Sequence, residues 1–173
     1  MDSKMKDMKR LIIALTLIIC QLIFCPVEAQ NVTRTRHQAA LTTDAVSTGT
    51  LTIRKPDYIC ISTDEGRNQL LMDGTKFTMI MDGKKHVTDS KKNAQFATFQ
   101  KVLNAVINGQ PIPTGEDMAI VTKSGLQTVT ITPTGKKRKM FTSFVLVVDT
   151  KTSALRQLRM NERGGNYVNY DFK

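Results

Sequence analysis

The chain has 173 residues, 40% of them hydrophobic and 6% aromatic, a net charge of +10 and three cysteines. This length suits one domain with an adequate core, and the positive charge suits a surface that meets anionic lipids, nucleic acid or acidic proteins. Two of the cysteines lie in the first 25 residues, so the rest of the chain has only Cys60, which excludes a small disulfide-stapled fold.

The N-terminus has the pattern of a secretory signal. Basic residues within 4–10 precede an apolar run at 11–24, and small residues at 27–29 suit cleavage after Ala29. The apolar run is too short for a comfortable membrane span. We therefore predict a cleaved signal peptide at 1–29 and one soluble periplasmic domain at 30–173, with 21 Lys and Arg against 12 Asp and Glu.

Short strand-like segments follow the signal. The sequence pairs Asp73-Gly74 and Asp82-Gly83 each separate two apolar runs, which is a strong hairpin signal because both residue types tolerate positive φ. The pattern predicts an antiparallel meander with one buried face. Its predicted strands are 32–39, 49–55, 57–63, 68–72, 77–81 and 86–88.

The pattern changes at 93–108, where apolar residues recur at helical spacing until Gly109 ends the run, with Lys101, Asn104 and Asn108 on the opposite side. Strand patterns resume after it at 118–122, 126–132, 140–148, 154–161 and 167–172. About ten short strands and one amphipathic helix predict an α+β domain. In it, a curved antiparallel sheet is covered on its concave side by the helix.

The one dense basic run, 136–139, lies between two strand-like segments. Its simplest interpretation is a solvated hairpin tip, and a specific anion site is the alternative.

Residues for catalysis are scarce. The predicted mature domain has two histidines, His37 and His86, and one cysteine, and none of them falls into a zinc, Ser-His-Asp or phosphate-loop spacing. Cys60 alternates with Ile59 and Ile61 in a strand and is best interpreted as an inert buried thiol. We expect no enzymatic activity, no metal and no cofactor.

Apolar side chains share faces across these elements. Leu51, Ile53 and Lys55 lie on one face of their strand, so an apolar face ends in a cation. This lysine could snorkel to water along its neighbours. A helix on a sheet normally makes a dry core, although flexible methionines also suit ligands of varying shape. The remaining residues expected on this face are Phe77, Met79, Met81, Phe96, Phe99, Leu103 and Val106.

Several segments together resemble the LolA family of outer-membrane lipoprotein carriers. They are Gly49-Thr50-Leu51-Thr52-Ile53-Arg54-Lys55-Pro56, the hairpin Leu71-Met72-Asp73-Gly74-Thr75-Lys76-Phe77, the Phe-containing helix and the closing stretch 165–172. The resemblance implies an incomplete β-barrel whose helical lid encloses an apolar cavity for acyl chains. The ten residues from Leu51 to Val106 named above would bind the ligand. Lys55, at the family's basic position before proline, would latch the lid through helix carbonyls.

The resemblance also implies a function. We expect a periplasmic carrier or binder of lipoproteins or other acylated molecules, which receives cargo from an inner-membrane donor complex and passes it to an outer-membrane acceptor. It would act as a monomer, without nucleic acid. The alternative is a non-carrier basic module that binds an acidic protein or an anionic polymer through its surface, with a filled core.

Overall fold

A computed structural model describes residues 28–81, 83–134 and 140–173. The predicted signal segment up to residue 27 and the basic run 136–139 lie outside the described residues. The strands are β1 (Glu28–His37), β2 (Ala45–Arg54), β3 (Tyr58–Thr63), β4 (Asn68–Asp73), β5 (Lys76–Met81), β6 (Lys84–Asp89), β7 (Met118–Lys123), β8 (Leu126–Ile131), β9 (Ser143–Asp149), β10 (Leu155–Asn161) and β11 (Tyr167–Phe172). The helix α1 (Ala94–Ile107) lies between β6 and β7 in the chain, and a 3₁₀ turn, Arg163–Gly165, precedes β11.

The strands form one antiparallel sheet in the order β6-β5-β4-β3-β2-β1-β11-β10-β9-β8-β7. Chain neighbours pair throughout, except that α1 links the two edge strands β6 and β7, and β1 closes against β11 at the centre. The helix therefore joins opposite edges of the sheet. Its Phe96 contacts both Phe77 of β5 and Phe144 of β9, so the sheet curves around it without closing. The predicted fold class is confirmed.

Alternation along the strands decides which face is buried. In β2, Leu51 and Ile53 are buried while Thr50 and Arg54 are exposed, and β3, β5 and β9 show the same period of two. The buried sets form one core on the concave side, against α1. The helix ends at Ile107, and Gly109 after it has a φ of 63°, the left-handed conformation that lets Gln110 N–H reach the Ala105 carbonyl.

Some bounds differ from the predicted ones. β1 begins at Glu28, so cleavage after Ala29 would remove its first two residues, and β2 begins at Ala45 because it pairs with β1 over nine positions. β9 begins at Ser143, three residues later than expected, although Phe141 before it is fully buried. Among the described residues, no helix has the length and hydropathy needed to cross a membrane.

Candidate functional site

The concave face gathers most of the predicted ligand-binding residues. Met81 packs at the margin of the buried cluster, partly exposed, and Lys55 is exposed. The other eight are at most 7% exposed and belong to that single cluster. They are Leu51, Ile53, Phe77, Met79, Phe96, Phe99, Leu103 and Val106.

Aromatic rings join the helix to both halves of the sheet. Phe99 stacks on Phe144 of β9 with ring centroids 4.5 Å apart, and its centroid lies 5.7 Å from that of Phe77 in β5. Phe96 adds contacts of 5.2 Å to Phe77 and 6.3 Å to Phe141. Phe141 and Phe144 were not among the residues predicted on this face. Phe144 alternates with Leu146 and Val148 along β9, and this pattern could have placed Phe144 on the buried face.

The helix's own side chains occupy the space where the resemblance implies a cavity. Phe99 and Leu103 are no more than 2% exposed, so in the part of the chain that the structure describes the middle of the concave face is filled. Pockets lie beside the helix in three places. One of about 270 Å³ is lined by Phe77, Phe96 and Met140, one of about 240 Å³ by Ile53, Lys55 and Ile107, and one of about 370 Å³ by Val106, Ile112 and Val148.

Lys55 lies at the mouth of the 240 Å³ pocket, beside the end of α1. There the helix is bonded to the turn that follows Lys55, because Asn108 Nδ2 donates to the Pro56 carbonyl at 2.7 Å. The same amide also donates to the Asn104 carbonyl at 2.8 Å. Asn108 was expected on the polar side of the helix, and nothing in its spacing marked it as a tether. The latch role of Lys55 stays a prediction.

Two further polar side chains of the helix, Gln100 and Thr98, bond it to the rest of the protein. Gln100 Nε2 donates to the Gly74 carbonyl in the β4–β5 turn, while Gln100 Oε1 accepts from Ser90 Oγ. On the other side, Thr98 Oγ1 donates to Asp117 Oδ2 at 2.6 Å, just before β7. The helix is thus an apolar cover fastened by hydrogen bonds at three points. The neutral bonds of Gln100 and Asn108 contribute about 1 kcal/mol net each, and the bond to the Asp117 carboxylate contributes about 1.5–3 kcal/mol.

Replacing Asn108 by Ala should therefore loosen the C-terminal end of the helix. We expect the free energy of unfolding to fall by about 1 kcal/mol, because the Pro56 carbonyl loses its donor. Hydrogen exchange of the backbone amides in α1 should accelerate more than exchange in β2 or β3. Gln110→Ala, at an exposed neighbouring position, is the matched control. Equal exchange rates in the two variants would show that this contact does not hold the helix.

The one cysteine of the described residues fits the inert interpretation. Cys60 is half-buried, and burial raises the pKa of its thiol, although a hydrogen bond with Tyr58 and the nearby Arg54 charge act in the other direction. A protonated thiol is a poor nucleophile. Across the described ranges, no group of three or more His, Cys, Asp or Glu side chains is placed to hold a metal ion.

A wide, open antiparallel sheet with an apolar concave face under one helix defines a LolA-like fold. The sequence profile of the family described as "Outer membrane lipoprotein carrier protein LolA" matches residues 29–173, and the chain belongs to that family. The family takes its description from a lipoprotein carrier. A search of curated proteins gave no match.

Solved structures with a similar architecture include a DUF1329 family protein from Desulfovibrio piger, at 12% sequence identity and a TM-score of 0.39, covering 92% of this chain and 89% of that chain. Another is a LolA superfamily protein from Nitrosomonas europaea, at 9% identity and a TM-score of 0.34, with 87% and 86% covered. A third is a chain in the structure of the CwlD amidase from Clostridioides difficile in complex with the GerS lipoprotein, at 12% identity and a TM-score of 0.33, with 88% and 86% covered.

Proposed function

We propose that the protein is a periplasmic carrier or binder of lipoproteins or other acylated molecules, whose acyl chains lie against the concave face when α1 moves aside. The observation that carries this proposal is the continuous apolar face that spans both halves of the sheet and is covered by a single helix. Membership in the LolA family supports the class of cargo. The predicted signal peptide supports the compartment.

The concave face is already filled by side chains of the helix, and this determines the net free energy with which an acyl chain would bind. Burying an acyl chain is worth on the order of 0.8 kcal/mol per CH₂, so a sixteen-carbon chain releases roughly 12 kcal/mol when it becomes dry. In this protein the acyl chain would take the place of Phe99 and Leu103, whose contacts with the sheet are lost when the helix moves. The net affinity is the difference between two apolar packings. A small difference allows release without an energy source.

Partners follow from the same proposal. An inner-membrane donor complex would load the acylated cargo, and an outer-membrane acceptor would take it, with the carrier acting as a monomer. Exposed lysines of the edge strand β6, Lys84 and Lys85, could meet acidic surfaces of such partners.

Uptake of a fluorescent fatty-acid probe by delipidated protein tests the carrier function. We expect saturable binding with one chain per protein, insensitive to salt, because the driving force is apolar burial. Native mass spectrometry of periplasmic material should show a co-purifying acylated species. No uptake, together with strongly salt-dependent binding to an acidic protein, would favour the basic surface module instead.

Lys55→Leu tests the latch. Lys55 is exposed and lines a pocket together with Ile53, Val106 and Ile107, so an apolar side chain there should raise the affinity for an acyl probe and slow its release. The measurement is the dissociation rate in stopped flow after mixing with excess unlabelled lipid. Lys123→Leu, at an exposed position on β7, controls for the lost charge. Equal dissociation rates in the wild type and Lys55→Leu would contradict the latch.

A further inference from the structure

An arginine lies inside the concave face. Arg34 is on β1, on the same face as Val32, and is only 4% exposed. In the sheet register it lies between Ser47 of β2 and Tyr170 of β11. Tyr170 belongs to the apolar core, and its phenol is hydrogen-bonded to the Arg34 side chain.

This buried cation has no counterion among the described residues. The ion pairs there do not include Arg34, and the neighbouring carboxylate of Glu162 is taken by both terminal nitrogens of Arg36, at 2.5 Å and 3.1 Å. Tyr170 does not supply a negative charge either, because a tyrosine phenol is neutral at neutral pH and burial raises the pKa of this one further. The Nε of Arg34 has no hydrogen-bond partner. A buried charge in this state is strongly unfavourable unless something pairs with it.

Two hydroxyl groups on the same face also lack hydrogen-bond partners. Ser47 Oγ and Thr63 Oγ1 are buried without a partner, and both residues occupy concave-face positions of their strands. Between them in the register is Gly49, opposite both Val32 and Thr63, which places no side chain on the face. The backbone of β3 comes so close to Gly49 that an added Cβ would lie 1.9 Å from the Ser62 carbonyl oxygen. Three unsatisfied hydrogen-bonding groups therefore share one patch of the sheet, with no side chain at the position between the two hydroxyls.

The patch lies at one end of an apolar track. Along β1 and β2, Arg34 and Ser47 lie toward the ends at His37 and Ala45. In the other direction the face is mostly apolar, through Val32, Leu51 and Ile53, with one polar group, the Gln30 amide, opposite Leu51. The polarity of this face thus matches a molecule with an anionic head and an apolar chain. A phosphate group offers several acceptor oxygens, which suits a guanidinium and two hydroxyls together.

We propose that Arg34, Ser47 and Thr63 bind the phosphate head group of an acylated ligand whose chain lies on the concave face under α1. The proposal rests on the function proposed above and specifies its ligand as an anionic, phosphate-bearing lipid. The guanidinium gains its missing counterion, and the two hydroxyls donate to phosphate oxygens.

Paired ligands of equal chain length test this assignment. Dodecyl phosphate and 1-dodecanol, both below their aggregation concentrations, would compete with the uncharged dye N-phenyl-1-naphthylamine on delipidated full-length protein. The wild type should bind the phosphate at least about tenfold more tightly than the alcohol. In Arg34→Gln this ratio should fall to about one. Arg67→Gln makes the same change of charge at an exposed position and should keep the ratio.

The outcomes separate this proposal from the carrier function. Equal affinity for both ligands in the wild type, or an unchanged ratio in Arg34→Gln, overturns the head-group site and leaves the carrier function standing. Failure of both ligands to displace the dye overturns the two together. Inorganic phosphate that raises the Tm as much as dodecyl phosphate overturns the lipid assignment in favour of a free-anion site. Should Arg34→Gln not fold, the double variant Ser47→Ala/Thr63→Val must lower the ratio, and an unchanged ratio there overturns the site.

Discussion

Replacing Phe99 by Ala should lower the free energy of unfolding by roughly 3–5 kcal/mol. The ring is fully buried and stacks on Phe144 at 4.5 Å, with Phe77 at 5.7 Å, so the truncated side chain leaves a cavity between the helix and both halves of the sheet. Rigid strands on two sides prevent the gap from collapsing. Urea unfolding monitored by far-UV circular dichroism measures the loss.

Val121→Ala is the control, because that side chain is 63% exposed on edge strand β7 and its truncation should cost less than about 0.5 kcal/mol. The same Phe99→Ala variant should take up an acyl probe more readily than the wild type, since the helix gives up fewer contacts when it moves. A loss of stability below about 1 kcal/mol would mean that the helix does not pack between the two halves as described. Reduced uptake by a folded variant would argue that the concave face is not the acyl site.

Gly49→Ala should destabilise the protein by at least about 3 kcal/mol, or prevent its folding. A Cβ at this position would lie 1.9 Å from the Ser62 carbonyl oxygen and 2.6 Å from the Thr63 Cα. Both are backbone atoms of the paired strand β3, so relief requires the β2–β3 pairing itself to shift. Thermal unfolding and the soluble yield measure the effect.

Gly115→Ala is the matched control for this substitution. Gly115 is exposed before β7, and the nearest atom to an added Cβ is Asp117 Oδ1 at 3.0 Å. A side-chain oxygen can shift by a few tenths of an ångström while Asp117 Oδ2 keeps its bond to Thr98. We expect a change within about 0.5 kcal/mol. A Gly49→Ala variant as stable as Gly115→Ala would refute the close strand approach.

The architecture explains how one helix could serve as a lid. Its apolar side is packed as tightly as a core, whereas its attachments to the sheet are hydrogen bonds from Gln100, Thr98 and Asn108 at three separate points. The bonds from Gln100 and Asn108 are neutral, whereas the bond from Thr98 to the Asp117 carboxylate is charge-assisted. Under the proposed function, an acyl chain has to replace the apolar contacts of α1, and these three attachments exchange for water when the helix moves.

Strand and helix positions were predictable because their signals are local. Alternation in 49–55 and 77–81, and the helical spacing of Phe96, Phe99 and Leu103, depend on neighbours within a few residues. Bounds were less accurate where pairing extends a strand beyond its apolar pattern, as in β1 and β2. The tethers and the buried Arg34 were not predicted, since each depends on a partner, or the lack of one, that is distant in the chain.

The sequence by itself determined the antiparallel sheet, the single helix of the described residues, and which side chains of each element face inward, because periods of 2.0 and 3.6 residues assign a face without any knowledge of the partner. Only the tertiary structure decided how far apart the helix and the sheet lie. That distance is set by Phe77, Phe99 and Phe144, which come from three separate elements and meet in one cluster. Their contact fills the concave face and leaves Lys55 at its rim, and no local pattern encodes either result.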